Sequence, residues 1–189
     1  IGSSPILWHI MKMYSHYGFN DFVILLGYKG YYIKEYFANY FLHQSDVTFF
    51  MKENRMKVHQ ERTEPWTVTL IDTGDSTMTG GRLGRVIEYI KNEEAFCFTY
   101  GDCVGDININ ELIKNHKESK KLATLTAVQP PGRFGAIKLK GQKVIDFHEK
   151  PQGENRLVSG GFFVLEPEVL NFIKDDNTSW EDEPIQKLV

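Results

Sequence analysis

The sequence has few cysteines, no strongly basic segment and no long apolar run. Its two cysteines, Cys97 and Cys103, belong to no CxxC motif and no cysteine–histidine cluster, which argues against a zinc site. Two isolated cysteines indicate reduced thiols in a cytoplasmic protein rather than a disulfide framework. The net charge of -3 and the pI of about 6.1 argue against a nucleic-acid partner. The apolar run from Phe22 to Leu26 is too short to cross a bilayer, so we expect no membrane partner.

What the sequence does contain is the composition of one globular domain with a substantial core, since 41% of its 189 residues are hydrophobic and 25% charged. Apolar segments alternate with helix-like ones. The first helix is predicted to start with Ser4 as N-cap and Pro5 at its first position, and to close at Gly18. A later helix is predicted to start with Thr79 as N-cap. The predicted strands are 21–27, 47–51, 66–74, 95–102 and 122–128, and the predicted helices are 5–17, 31–43, 79–90 and 109–119.

This alternation predicts an α/β fold with a mostly parallel sheet, right-handed crossovers and helices on both faces. After Pro130 the pattern changes. A hairpin turning at Gly141 and a further strand, followed by a helix near Pro167, add strands of mixed direction to the sheet. We find no repeat and no linker, so residues 1–189 are predicted to belong to a single domain.

Polar residues stand where the strands end, and ligands of open α/β sheets bind outside the carboxyl ends of the strands. These residues are Thr73-Gly74, Gly101-Asp102 and, in the second half, Glu149-Lys150. The set suits a phosphorylated, hydroxylated ligand together with Mg²⁺, which takes one or two carboxylates and completes its shell with water and phosphate oxygens. A Gly-Asp turn after a strand explains Asp102 equally well.

Two glycine pairs suggest close approach of a ligand to the backbone. Gly80-Gly81 opens a predicted helix, where exposed N–H groups favour an anion, and Arg82 follows against the helix dipole unless an anion offsets its charge. A solvated surface arginine is the simpler interpretation. Gly160-Gly161 begins an apolar strand, and Gly135 enters another.

Eight stretches together resemble the sugar-1-phosphate nucleotidylyltransferases. Three of them are "EPWTVTLIDTGDSTMTGGRL", "PPGRFGA" and "SWEDEP", and their parts "DTG…TMTGGRL", "PPGRFGA" and "WEDEP", in this order, are typical of the cytidylyl branch. The other five are "PILWHIMKMYSHYG", "GYKGYYIKEYFANYF", "FTYGD", "EKP" and "GGFFVL". The resemblance implies a Rossmann-like three-layer nucleotide-diphospho-sugar transferase fold. It also implies that CTP and α-D-glucose 1-phosphate, with Mg²⁺, give CDP-glucose and pyrophosphate, in the cytoplasm and in a homo-oligomer. CDP-glucose would then serve dideoxyhexose synthesis for the lipopolysaccharide O-antigen.

The resemblance also assigns roles to residues of this sequence. Asp102 matches the metal-binding, catalytic aspartate, and Lys150 matches the catalytic lysine on the sugar phosphate. The residues implied to bind the nucleotide are Thr73, Gly74, Thr77, Gly80, Gly81, Arg82 and Gly101. Those implied to bind the sugar phosphate are Gly135, Glu149, Lys150, Gly160 and Gly161.

The sequence departs from the family pattern in three places. The first strand with its GxGTR-type triphosphate loop and the C-terminal segment with a second metal-binding aspartate are not among these residues. Cys103 stands where relatives have Gly, and Ser3-Ser4 where they have Gly-Lys. We therefore expect residues 1–189 to be part of a nucleotidyltransferase domain and this polypeptide to be weak or inactive alone. Normal turnover in a pyrophosphate-release assay would refute that.

Two alternatives remain open, and a third does not match the sequence. The first is a nucleotidylyltransferase that uses dTTP or UTP, because base choice rests on the loop from Thr73 to Arg82. The second is a nucleotide-sugar-binding module without turnover. The third, an inverting glycosyltransferase, usually carries an Asp-x-Asp motif, and the aspartates of "GDCVGD" are spaced too widely to match it.

Overall fold

The computed structural model describes residues 2–59, 63–130, 136–148 and 157–189, and these form an α/β structure. The helices are α1 Ile6–His16, α2 Gly30–Ala38, α3 Tyr40–Gln44, α4 Thr79–Gly84, α5 Ile87–Ile90, α6 Ile109–Ser119 and α7 Glu183–Leu188. The strands are β1 Asp21–Leu26, β2 Val47–Phe50, β3 Arg55–Val58, β4 Thr67–Asp72, β5 Phe96–Thr99, β6 Ala123–Val128, β7 Ala136–Lys140, β8 Lys143–His148 and β9 Val158–Leu165. Short 3-10 helices lie at Met51–Glu53 and Pro167–Phe172. No helix in the described ranges is long and apolar enough to cross a membrane.

The chain forms two compact units, of which the first comprises Ile1–Glu94 and Pro167–Val189. In this unit β1 and β4 form a parallel pair in which Asp21 lies opposite Thr67 and Leu26 opposite Asp72. Their carboxyl ends therefore lie side by side, as the sequence predicted for strands of one parallel sheet. β2 and β3 form an antiparallel hairpin. The buried side chains of this unit include Ile10, Met11, Leu26, Leu83, Val86 and Trp180.

The second unit comprises Ala95–Glu166. Its central strand is β9, which pairs antiparallel with β5 on one side and with β6 on the other. β5 and β6 consequently run parallel to each other with β9 between them. Residues 162–165 of β9 are at most 2% exposed and belong to the core of this unit, together with Ile109 and Leu112 of α6. The predicted hairpin is confirmed, because β7 and β8 pair antiparallel around Gly141, which has φ of 60°.

The structure corrects several predicted boundaries. Helix α1 begins at Ile6 after an extended Pro5, so Ser4 is not its N-cap. The predicted helix 31–43 is divided into α2 and α3 at Asn39, and the predicted helix 79–90 is divided into α4 and α5. Thr79 is the first residue of α4, whose N-cap is Met78, and the Thr79 hydroxyl donates to Glu181 Oε2 at 2.6 Å. Strand β3 was missed because its charged residues Arg55 and Lys57 give no apolar pattern.

Candidate functional site

Thr73 joins the carboxyl ends of β1 and β4. Its backbone N–H and its hydroxyl both donate to the carbonyl oxygen of Leu26, each at 2.8 Å, and the residue is 0% exposed. The next residue, Gly74, has φ of 87° and donates its N–H to Asp72 Oδ1 at 3.0 Å. A Cβ on Gly74 would lie 2.9 Å from the Thr77 hydroxyl, so backbone conformation and crowding both require glycine there.

Arg82 reaches from α4 to these strand ends. Its Nη1 donates to Thr73 Oγ1 at 2.7 Å and to Leu26 O at 3.1 Å, and its Nη2 donates to Asp75 O at 3.2 Å. The guanidinium fills the space that a Cβ on Gly27 would occupy. All three acceptors are neutral, and within the described ranges no carboxylate pairs with Arg82. A fixed, half-buried cation without a counter-charge is suited to an anionic ligand.

Gly80 and Gly81 are buried against the segment 176–180. A Cβ on Gly80 would lie 2.8 Å from Thr178 O, and one on Gly81 would lie 2.6 Å from Asp176 O. The N–H of Gly81 donates to Thr178 O at 3.0 Å, and that of Met78 donates to Asp176 O at 2.8 Å. The expectation of exposed N–H groups at this helix start is therefore wrong for both donors. The glycines admit a protein segment, and their contact with a nucleotide stays a prediction.

The segment Asp176–Glu181, which we call the α4 brace, fixes α4 through side chains as well. Arg85 binds Asp176 through both Nε, at 2.9 Å, and Nη2. The Thr79 hydroxyl accepts from the N–H of Trp180 at 2.9 Å, and Trp180 is fully buried. The Arg85 guanidinium lowers the pKa of the Asp176 carboxyl by hydrogen bonding. Sequence reasoning missed this role, although the brace includes part of the quoted "SWEDEP" stretch.

In the second unit, Asp102 lies in a solvent-exposed turn after β5. In the part of the chain that the structure describes, its carboxylate has no hydrogen-bond or ion-pair partner. A Cβ built on neighbouring Gly101 would meet no atom of the described residues within 4 Å, so these residues leave the space beside Asp102 open. The structure thus places Asp102 at the surface, where a ligand or ion can reach it.

The Gly160-Gly161 pair ties the Asp102 turn to β9. The Thr99 hydroxyl donates to Gly161 O at 2.8 Å, and the Cys103 thiol donates to Gly160 O at 3.4 Å. Gly161 has φ of 77°, and a Cβ there would lie 3.1 Å from the Tyr100 ring and 3.2 Å from Cys103 Sγ. Packing against Tyr100 and Cys103 therefore explains why position 161 is a glycine. The contact of the glycine pair with a sugar stays a prediction.

The donor set fits Mg²⁺ better than zinc. Among the described residues no three His, Cys, Asp or Glu side chains come together in an arrangement that could hold a metal ion. One exposed carboxylate is compatible with Mg²⁺, because waters and phosphate oxygens complete its octahedron. Both cysteines are free, and burial raises the pKa of Cys97 to about 11, so its thiol is neutral near pH 7.

Three of the predicted site residues, Gly135, Glu149 and Lys150, lie outside the described residues.

Comparison with known proteins gives a family match and close relatives. The family described as Nucleotidyl transferase matches residues 1–188. The chain is 62% identical over 188 residues to a glucose-1-phosphate cytidylyltransferase of Salmonella typhimurium, covering 100% of this chain and 73% of that protein. It is 40% identical over 189 residues to a probable glucose-1-phosphate cytidylyltransferase of Bacillus subtilis, with the same coverage.

Solved structures of low sequence identity share the fold. HddC from Yersinia pseudotuberculosis complexed with GMP-PN is similar with a TM-score of 0.70 at 17% identity, over 100% of this chain and 75% of that one. A putative glucose-1-phosphate thymidylyltransferase from Bacillus anthracis gives a TM-score of 0.56 at 16% identity, over 91% of this chain and 63% of that one. At these identities the similarity shows a common Rossmann-like α/β architecture.

Proposed function

This chain belongs to the nucleotidyl transferase family, and from that premise we propose that it joins CTP and α-D-glucose 1-phosphate to give CDP-glucose and pyrophosphate. The observation that carries the proposal is the 62% identity to a glucose-1-phosphate cytidylyltransferase over the whole chain. Two features of the site support it, namely the Arg82 guanidinium on neutral acceptors and the open surface around Asp102.

The reaction is one in-line displacement at the α-phosphorus of CTP. A phosphate oxygen of glucose 1-phosphate forms the new P–O bond, the bond from the α-phosphorus to the bridging oxygen breaks, and pyrophosphate leaves. Because the phosphate is itself the nucleophile, the chain needs no nucleophilic side chain. Its contribution is to position two anions and to neutralise their charge.

The residues divide this work by their chemistry. Arg82 binds the nucleotide as a fixed cation, and Lys150 binds the attacking phosphate as a point charge. The backbone at Gly101 leaves room for the nucleotide, and the backbone of Gly160 and Gly161 lies alongside the hexose. Asp102 would hold Mg²⁺, which would offset the negative charge of the phosphate oxygens.

The proposal extends to the setting of the enzyme. It works in the cytoplasm as a homo-oligomer, and its product serves dideoxyhexose synthesis for surface polysaccharide. Exposed tyrosines in and beside α2 support an oligomer, since Tyr28, Tyr31 and Tyr32 are each about two-thirds or more exposed. Light scattering coupled to size-exclusion chromatography tests this part, and a monomer at micromolar concentration would contradict it.

The function is tested with the purified full-length protein that contains residues 1–189, and the same protein is the unmodified protein of the variant experiments below. It is incubated with MgCl₂, α-D-glucose 1-phosphate and one of CTP, UTP, dTTP or GTP, and nucleotide sugar and pyrophosphate are both quantified. We expect CDP-glucose and an equal amount of pyrophosphate from CTP, and no product when glucose 6-phosphate replaces the substrate. Faster turnover with UTP or dTTP would assign another base. Binding of CDP-glucose without turnover would indicate a non-catalytic module.

A further inference from the structure

The hydrogen bonds of Arg82 use three of the five N–H donors of its guanidinium. Nη1 donates twice, to Thr73 Oγ1 and Leu26 O, and Nη2 donates once, to Asp75 O. The remaining donors, on Nε and Nη2, have no acceptor among the described residues, and neither nitrogen is buried without a partner. One side of the guanidinium is thus held by the protein, and the other is available to a ligand.

Thr73 cannot itself be the ligand contact that the sequence suggested. The residue is 0% exposed, and its hydroxyl already donates to Leu26 O at 2.8 Å. With its only proton directed at Leu26, the hydroxyl presents lone pairs to Arg82 Nη1 at 2.7 Å. Leu26 O fixes the orientation of the hydroxyl, and the hydroxyl in turn fixes the guanidinium.

We propose that Thr73 is a positioning residue, which orients the Arg82 guanidinium so that its Nε and Nη2 edge meets the nucleotide. This inference rests on the proposed function for the identity of the ligand. In this proposal Thr73 does not contact the nucleotide itself, and it affects nucleotide binding only through the orientation of Arg82. A positioned guanidinium loses little conformational entropy on binding, whereas a mobile one must be ordered by the ligand itself.

The variants Thr73→Val and Thr73→Ser isolate the hydroxyl. Valine has the shape of threonine without the acceptor, and Leu26 O still accepts from the backbone N–H of residue 73 and from Arg82 Nη1. Serine retains the acceptor. Thr124→Val is the matched control, because it deletes a strand hydroxyl that bonds the His116 ring at 2.9 Å, outside the proposed site.

Calorimetric titration with CTP in MgCl₂ provides the binding measurement. We expect Thr73→Val to raise the Kd for CTP roughly ten-fold, the scale of one charge-assisted hydrogen bond. Thr73→Ser and Thr124→Val should bind CTP like the unmodified protein. In an Arg82→Gln background, Thr73→Val should change the Kd no further, because the residue acts through Arg82. An equal loss in that background would overturn the proposal.

NMR of the Arg82 guanidinium tests the positioning without reference to any ligand. We expect separate, slowly exchanging Nη signals in the unmodified protein, assigned by their loss in Arg82→Gln, and averaged signals in Thr73→Val. Averaged signals in the unmodified protein would overturn the proposal even if Thr73→Val fails to fold. If the Arg82 signals are slow but CTP does not bind, the positioning is supported and the proposed function fails.

Discussion

At the scale of single residues, two arginines three positions apart in the chain differ in the charge of their hydrogen-bond acceptors. Arg85 is bonded to the Asp176 carboxylate through two nitrogens, whereas Arg82 is bonded to two carbonyl oxygens and a hydroxyl. The charge of Arg85 is therefore neutralised within the protein and serves α4. The charge of Arg82 remains to be offset, which is why we assign it to the nucleotide.

Arg82→Gln is predicted to raise the Kd for CTP by about ten- to a hundred-fold, since hydrogen bonds to charged groups contribute about 1.5–3 kcal/mol. The thermal midpoint is measured as well, because the shorter glutamine loses the hydrogen bonds of Nη1 and Nη2, and CTP binding is compared at a temperature at which both proteins are folded. Arg55→Gln is the control, because Arg55 makes an exposed pair with Glu53 at 3.1 Å and such pairs contribute little. Unchanged CTP binding by Arg82→Gln would contradict the assignment.

The thiol of Cys97 gives a pH prediction at the same scale. Burial raises the pKa of Cys97 to about 11 in the folded protein. In the unfolded chain the thiol is exposed to water and loses its proton at a lower pH. The neutral Cys97 thiol therefore contributes fully to the free energy of unfolding at a pH below the pKa of the thiol in the unfolded chain. This contribution is lost as the pH rises towards 11. We expect thiol reagents to label Cys97 slowly at pH 8 and faster as the pH approaches 11. The variant Cys97→Ala should lack the slowly reacting thiol. Rapid labelling of Cys97 at pH 8 in native buffer would contradict the prediction.

At the scale of elements, the loop from β4 and the helix α4 are held by a segment about a hundred positions away. The α4 brace supplies acceptors for Met78 and Gly81 and a counter-charge for Arg85. Gly80 and Gly81 lie directly on backbone atoms of the α4 brace. A side chain at either position would displace α4, and Arg82 would move with it.

Gly81→Ala is therefore expected to destabilise the protein by about 1–3 kcal/mol, the usual cost of overpacking, and to weaken CTP binding by displacing α4. Its Cβ would lie 2.6 Å from both Cα and O of Asp176, which are backbone atoms that cannot turn aside. Urea denaturation measures the change.

The matched control is Gly84→Ala in the same helix, where the nearest atom, Ile173 Cγ2, is 3.4 Å from the added Cβ. We expect it to be neutral or stabilising by up to about 1 kcal/mol, because alanine favours a helix over glycine. Equal stabilities of the two variants would show that the brace does not constrain α4.

The same elements show what the sequence could and could not predict. β1, β4 and α6 were predicted because apolar patterns and turn residues specify them locally, and so was the place of Thr73 and Asp102 at strand ends. The role of Gly80 and Gly81 could not be predicted, since their partner is distant in the chain and contributes backbone atoms. The break between α2 and α3 at Asn39 was also missed, because the aromatic pattern continues across it.

At the scale of the whole molecule, the predicted site residues are divided between the two units. The segment from Thr73 to Arg82 belongs to the first unit, whereas Asp102 and the Gly160-Gly161 pair belong to the second. The solved structures of 16–17% identity share the fold alone. The proposed preference for CTP therefore rests on the sequence relatives and on particular side chains.

The central proposal is that Asp102 anchors a divalent ion on which the reaction depends. The most direct test compares initial rates of CDP-glucose formation over a range of MgCl₂ concentrations for the unmodified protein, Asp102→Asn and Asp106→Asn. Asp106 is the control because it is also exposed and lies in the same loop. We expect Asp102→Asn to lose about a hundred-fold or more in rate, since such an ion supplies several kcal/mol, while Asp106→Asn retains normal activity. An Asp102→Asn protein with the unmodified rate and the unmodified dependence on magnesium would contradict the account.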